Sequence, residues 1–310
     1  MRFRMNGAGL RELTHLLLAD LTLPTKRNQP VPPILQVCTT LRFYATGSFQ
    51  SVCADVSKIS QPTVSRIIWR VTDSIIQNVF PRVVQFPNNA DIVRIQQEFY
   101  EISGFPGIVG VVDGTHVKIL SPSEHEEVYV NRKLFHSINV QVVCDAKMFI
   151  TNIVARHPGN AHDAKIWRKS ALGEQFARGD RRGIILCDSG YPCLPYLMTP
   201  ISHARNRGEE RYNAALKHTR CIVENVINVW KRRFHSLHAE LRVTPAKCCQ
   251  IIAATAAIHN FAKARRMPDI FNDPLNHYQQ PPHIPHEDAE GANMNGRLAR
   301  QRLVEQFFNQ

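Results

Sequence analysis

The 310-residue chain contains eight cysteines but no Cys-x-x-Cys pair and no Cys/His grouping with zinc-finger spacing. That absence excludes a structural zinc framework of the usual kinds. Cys38, Cys53, Cys144, Cys187, Cys221, Cys248 and Cys249 fall mostly within apolar runs, where reduced, buried thiols belong. No stretch approaches the roughly 20 consecutive apolar residues that a membrane-spanning helix needs. The segment from Met1 to Leu23 has Arg2 and Arg4 ahead of Leu16-Leu17-Leu18. Glu12, His15 and Asp20 interrupt it, and no small-residue cleavage site follows, so it does not read as a secretory signal. Acidic residues are also in short supply, with 26 Asp and Glu against 38 Lys and Arg, a net charge of +12. Such a surplus attracts polyanions and makes binding to them salt-sensitive. The expectation is a chain without membrane segments, working in a reducing nucleus or also the cytoplasm.

Against that basic background, three acids stand in local sequences that aim a carboxylate at a cation. Asp113 follows the apolar run Gly110-Val111-Val112 and precedes Gly114-Thr115-His116-Val117-Lys118-Ile119, which reads as strand, tight turn and second strand. Asp188 follows the β-branched run Gly183-Ile184-Ile185-Leu186-Cys187 and precedes Ser189-Gly190-Tyr191-Pro192, which can turn but cannot continue a central strand. Glu224 lies in a long helical pattern whose apolar stripe comprises Tyr212, Ala215, Leu216, Thr219, Val223, Val226, Ile227 and Trp230. It sits off that stripe, one turn after Arg220. Hard oxygen donors of this kind suit Mg2+ or Mn2+ better than softer metals. Taken singly, each also has a plainer reading. A strand-end Asp before Gly is commonly a turn or cap residue, and Glu224 with Arg220 makes an ordinary surface ion pair.

The rest of the chain divides into zones. Residues 1–32 hold a short amphipathic helix over 7–23 and a Pro-punctuated linker with Lys26 and Arg27; residues 33–104 are helical, with breaks near Gly47 and Ser57 to Ser60. In the last helix of that region Ser60 is a plausible N-cap, Pro62 lies in the first turn, and Thr63, Ser65 and Arg66 share the outer face. This resembles a helix-turn-helix, and an ordinary three-helix bundle carries equal weight. Residues 105–263 form the core, where Ser137 to Cys144 and Met148 to Ala155 alternate like paired strands around an Asp145-Ala146-Lys147 turn. His162 and Asp163 start a helix running through Trp167. Arg181, Arg182, Arg205, Arg207, Arg211, Lys217, Arg220, Lys231, Arg232 and Arg233 cluster around the second and third acids and could track a nucleic-acid backbone, although a solvated helix face explains most of them one by one. Residues 264–310 are rich in Pro, His, Asn and Gln and read as disordered up to Asn295, with Arg297 to Phe308 a short amphipathic helix suited to docking on a partner.

Several ordered blocks carry a family resemblance: Thr46-Gly47-Ser48-Phe49-Gln50, Ile59 to Arg66, Gly110 to Val117, Tyr129-Val130-Asn131-Arg132-Lys133, His157-Pro158-Gly159 with His162-Asp163-Ala164, Asp188-Ser189-Gly190-Tyr191, and Glu224 with Lys231-Arg232-Arg233-Phe234. From about Thr46 to Phe261 the chain resembles the PIF/Harbinger group of DDE transposases and the nucleases derived from them. The resemblance implies an α/β fold with a ribonuclease H-like core, preceded by the small helix-turn-helix-like region. It implies a DDE triad at Asp113, Asp188 and Glu224 holding Mg2+ or Mn2+, and metal-dependent hydrolysis of DNA phosphodiester bonds. It also implies that His162 and Asp163 orient a ligand or water, and that Arg66, Arg220, Lys231, Arg232 and Arg233 contact DNA. The partners implied are DNA, a Myb-like DNA-binding protein and further copies of the chain. Two departures stand out: Asn160 where relatives usually carry Ser, and Asn225-Val226-Ile227-Asn228 in place of the usual Arg-x-Phe-Gly. Neither removes an acid.

Two other classes compete. A catalytically silent DNA-binding or adaptor protein would keep the same blocks. A phosphatase of the haloacid dehalogenase type is suggested by Val112-Asp113-Gly114-Thr115, but it needs a nucleophilic Asp two positions earlier, where Val111 stands.

Overall fold

Short β-branched runs supply the strands, and their pairing sets the positions of Asp113 and Asp188. The computed structural model describes residues 3–24, 29–268 and 294–309. Five strands, β1 (Ile108–Lys118), β2 (Ser137–Cys144), β3 (Ile150–Pro158), β4 (Ile184–Leu186) and β5 (Leu197–Met198), form one sheet in the order β3-β2-β1-β4-β5. β4 runs parallel to β1, with Val111 opposite Leu186, and β5 runs parallel to β4. A tight turn joins β2 to β3, with the Phe149 N–H donating to Asp145 Oδ1 at 2.8 Å, so these two are antiparallel and the sheet is mixed. The turn is longer than the sequence suggests. Met148 takes a left-handed φ of 65°, which no strand residue adopts, and β3 starts at Ile150.

The strand–turn–strand expectation at Asp113 is overturned. β1 passes through Asp113 and Gly114 without a break. Gly114 is not among the glycines with positive φ, so nothing turns the chain there, and alternate burial of Thr115, Val117 and Ile119 keeps the strand registered on its neighbours.

The helices are α1 (Gly7–Leu16), α2 (Leu18–Leu21), α3 (Pro33–Thr46), α4 (Gln50–Ser57), α5 (Gln61–Asn78), α6 (Phe80–Val83), α7 (Ile92–Ser103), α8 (Glu126–Tyr129), α9 (Asp163–Arg168), α10 (Ala171–Arg178), α11 (Arg207–Arg233), α12 (Pro245–Ala264) and α13 (Met294–Leu303). The described residues fall into two compact units, each assembled from separated segments. One takes the chain up to Gln85, then His116–Ile138, then the segment that starts at Asn228. The other takes Phe86–Thr115, Asn139–Ile227 and the C-terminal helical segment.

In the first unit α5 shows how pattern becomes packing. Val64, Ile67, Ile68, Val71 and Ile75 recur at three- and four-residue spacing and are all buried. Tyr44 of α3 reaches the same core, its hydroxyl 2.6 Å from Thr72 Oγ1. α3 stops at Gly47, whose φ of 64° places the left-handed residue that a helix C-terminus favours. In the second unit Val109, Val112, Val143, Trp167, Leu172, Phe176, Ile185, Cys187, Tyr191 and Leu197 form a single apolar cluster on the sheet. Ser170 caps α10 by accepting from the Gly173 N–H at 2.9 Å, and Gly179 ends it.

α13 continues as a π-helical turn over Val304–Phe308, and Phe308 packs on Phe105 and Tyr212 with ring centroids 5.3 and 5.7 Å away. Arg300 donates to the Thr199 and Pro200 carbonyls. The terminal helix expected to dock on a partner therefore docks on its own chain. The expectation of disorder up to Asn295 falls mostly on residues 269–293, and that of a linker partly on Lys26 and Arg27; both stretches lie outside the described residues. All eight cysteines are free, and Cys221 is exposed rather than buried, because it lies on the outward side of α11.

Candidate active site

Strand register brings the first two acids together. Val111 and Leu186 are partners across parallel strands about 4.8 Å apart, so the residues two positions further on, Asp113 and Asp188, emerge side by side. Both are almost fully buried, at 6% and 5% exposure. The Asp113 Oδ1 accepts from the Gly114 N–H at 2.9 Å, and Asp188 Oδ1 accepts from the Gly190 N–H at 3.0 Å in a turn that ends the strand path.

Two further side chains from the same unit enter the cluster. Asp163, the first residue of α9, has its Oδ1 held at 3.0 Å by Asn139 Nδ2 from β2. Arg220 of α11 places Nη2 at 3.4 Å from Asp113 Oδ2 and 2.8 Å from Glu224 Oε1. Glu224 thus joins the group through the arginine one turn before it, and its side chain remains 35% exposed.

The electrostatics follow from too many acids in too little water. Burial pushes Asp113 up to about 7, opposed by the Arg220 guanidinium and assisted by the negative charges of Asp188 and Asp163. Burial acts against the Arg220 cation too, but Asp113, Asp188 and Glu224 outweigh it and hold its pKa above the ordinary value. The Tyr191 hydroxyl is raised by burial, then by Asp163, Asp188 and Asp113 in that order. Tyr191 is only 1% exposed, and its hydroxyl, like Asn139 Oδ1 and Arg220 Nε, has no hydrogen-bond partner. Unsatisfied buried polar atoms are uncommon and mark places where a further group belongs.

The remaining site residues suggested by sequence lie elsewhere. His162 caps α9 through its backbone and is exposed. Arg66 is exposed on α5. Lys231 is buried and donates to the His116 carbonyl at 2.8 Å; Arg233, at 2% exposure, donates to the Arg4 carbonyl at 3.3 Å. Arg232 between them is half-buried. Sequence reasoning missed Asn139. Its signal was present, since Asn139 and Gln141 are polar at two-residue spacing inside the otherwise apolar run of β2.

Hard oxygen donors, closely placed carboxylates and orphaned polar atoms all fit a divalent cation. Asp113, Asp188 and Glu224, which Arg220 ties to Asp113, are side chains that could hold it, with Asp163 beside them. In the arrangement seen, no three His, Cys, Asp or Glu side chains among the described residues converge closely enough to bind a metal.

A mixed sheet with one acid within its central strand, a second just past the neighbouring parallel strand and a third on a following long helix defines a class, and sequence comparison agrees with it. A family model described as DDE superfamily endonuclease matches residues 112–260. The human protein named "Putative nuclease HARBI1" is 33% identical over 303 residues, covering 96% of this chain and 86% of the relative. The Xenopus laevis protein of the same name is 33% identical over 81% of this chain and 73% of its own length. The Arabidopsis thaliana "Protein ALP1-like" is 26% identical over 63% of this chain and 53% of the relative. No solved structure matches. The chain belongs to the Harbinger transposase-derived branch of the DDE superfamily endonucleases.

Proposed function

We propose that this chain is a divalent-metal-dependent DNA endonuclease of the DDE type, with its sheet and flanking helices as a ribonuclease H-like core. The carrying observation is the side-by-side burial of Asp113 and Asp188, linked through Arg220 to Glu224. Mg2+ or Mn2+ bound there would act as a Lewis acid toward a phosphodiester and lower the pKa of an attacking water. The protein's own residues do the rest. Asp113 and Asp188 present fixed oxygens because their strands are locked in register. Gly114 and Gly190 N–H groups orient those carboxylates. Arg220, released from Asp113, is placed to meet a phosphate oxygen, and burial of the cluster excludes bulk water.

The same reading extends to partners. Arg66 beside Thr63 and Ser65 on a helix-turn-helix-like α4–α5 pair, together with Arg232, would contact DNA backbone, while Lys231 and Arg233 brace their surroundings through main-chain carbonyls. A Myb-like DNA-binding partner, self-association and a nuclear location, with a cytoplasmic pool, complete the proposal. The test is nicking of supercoiled plasmid in Mg2+ or Mn2+ by wild type, Asp113→Ala and Asp188→Asn. Cleavage by wild type that vanishes in both variants and in chelator supports the proposal. Equal background in all three favours the second reading, a catalytically silent DNA-binding or adaptor protein, in which the Arg220–Asp113–Glu224 pairing is simply the resting structure.

A further inference from the structure

The block Thr46-Gly47-Ser48-Phe49-Gln50 takes no part in the candidate active site, yet it forms one wall of a cleft of about 320 Å³ in the first compact unit. The opposite wall is the extended segment 239–243. There Leu241 pairs in parallel with Ile119: its N–H donates to the Lys118 carbonyl and its carbonyl accepts from the Leu120 N–H, both at 3.0 Å. Main-chain polar groups alternate in direction along an extended chain, so those of Glu240 and Arg242 face away from Lys118 and Leu120, toward the cleft. No backbone partner meets them among the described residues. Gly47 lets the two walls approach, since a Cβ there would stand 2.8 Å from the Ala239 Cβ. The result is an open strand edge with a pocket beside it.

The lip of the cleft is apolar and cationic. Phe49 is 58% exposed, with the Arg242 guanidinium 4.5 Å over its ring, and Val52 and Val56 carry the exposed apolar face along α4 at three- and four-residue spacing. Glu240 is shared by Arg242 at 3.3 Å and Lys118 at 3.9 Å, so two cations flank one acid. That excess favours an acidic group on the occupant, while Glu240 beside the edge disfavours a run of nucleic-acid phosphates. Main-chain groups unpaired along an edge recognise another main chain, and an apolar pocket next to them selects a side chain. We propose that the cleft binds an extended peptide segment of a partner protein, which adds as a strand along Glu240–Arg242, places an apolar side chain against Phe49 and sets an acidic one at Arg242. The proposal is independent of whether Asp113, Asp188 and Glu224 cleave DNA.

Random dodecapeptides displayed on phage, selected on the immobilised full chain and then synthesised, supply the probe. Selected sequences are expected to combine an acid with apolar residues at alternate positions. Phe49→Ala and Arg242→Glu, both at exposed side chains, are expected to weaken the best peptide at least about tenfold while leaving the urea midpoint of the chain unchanged. Strand addition has its own signature in wild type: N-methylation of the peptide at alternate residues abolishes binding while methylation of the residues between is tolerated, and the Glu240 and Arg242 amides gain protection from hydrogen exchange. The proposal is overturned if no peptide is enriched over a blank surface, if N-methylation is tolerated at every position, or if both variants bind the peptide within about twofold of wild type. It is equally overturned if no peptide is selected and Arg242→Glu instead loses duplex DNA, which makes the cleft a DNA surface, or if Phe49→Ala dissolves a dimer of the chain, which makes it a contact between copies.

Discussion

Replacing Arg220 by Gln removes a cation that touches both Asp113 and Glu224, and the structure sets the size of the effect. At 3.4 Å and an effective dielectric of about 20, the Arg220–Asp113 attraction is worth about 5 kcal/mol before desolvation of the arginine is subtracted. The Glu224 pair, with its acid 35% exposed, adds at most about 1 kcal/mol. Removing one partner of a buried pair costs about 3 to 5 kcal/mol when the other must stay charged. Asp113 need not stay charged. Its folded pKa is already raised from 3.8 to about 7, so the native state holds a proton that the unfolded state releases. That stabilisation is present at low pH and is lost as pH rises through about 7. Without Arg220 the folded pKa rises further, and the deficit of the variant grows with pH. Urea unfolding in chelator is therefore expected to show Arg220→Gln about 2 kcal/mol less stable than wild type at pH 8, and about 1 kcal/mol or less at pH 5.5. A deficit that is independent of pH, or smaller than about 0.5 kcal/mol at pH 8, would falsify the view that Arg220 compensates the aspartates.

Other perturbations follow from different parts of the molecule. His259 is buried with its pKa lowered to about 3 from 6.5, by desolvation first and then by Arg233 and Lys263. Its stabilisation is complete above pH 6.5 and falls as the unfolded chain takes up protons that the native state refuses, a loss of about 2 kcal/mol by pH 5. His259→Phe should flatten the acid limb of the stability profile between pH 6.5 and 5, and an unchanged limb would count against this account. Phe308→Ala should cost about 2 to 4 kcal/mol in thermal or urea unfolding, because the ring fills the space against Phe105 and Tyr212; no measurable loss would mean that the terminal helix is not docked in solution. Tyr44→Phe removes a buried hydroxyl pair with Thr72 at 2.6 Å, leaving Thr72 its bond to the Ile68 carbonyl. A loss of about 1 kcal/mol is expected, and a gain in stability would argue against that hydrogen bond.

Much of the site was legible from residue types alone. The Ile184–Leu186 run predicts a strand ending before Asp188 because β-branched residues suit a buried strand and Ser189-Gly190 suits a turn, and the apolar stripe around Glu224 predicts a helix because its period is that of α11. Asp113 was assigned a strand end because Asp-Gly commonly turns. The sheet overrode that preference, since β1 continues as one strand through Asp113 to Lys118 between β2 and β4. The two compact units interleave three segments each, which reflects contacts between residues far apart in sequence.

By itself the sequence determined the chemistry on offer: which side chains are acids, which runs are apolar, where glycine leaves space, and an excess of positive charge. Those follow from composition and local periodicity, which need no neighbour to define them. Only the tertiary structure decided that the parallel register of β1 and β4 sets Asp113 beside Asp188, that Gly114 opens onto Asp163, and that Arg220 reaches across to Asp113. Each is a relation across tens of residues, fixed by strand pairing and burial, and no local pattern in the chain encodes it.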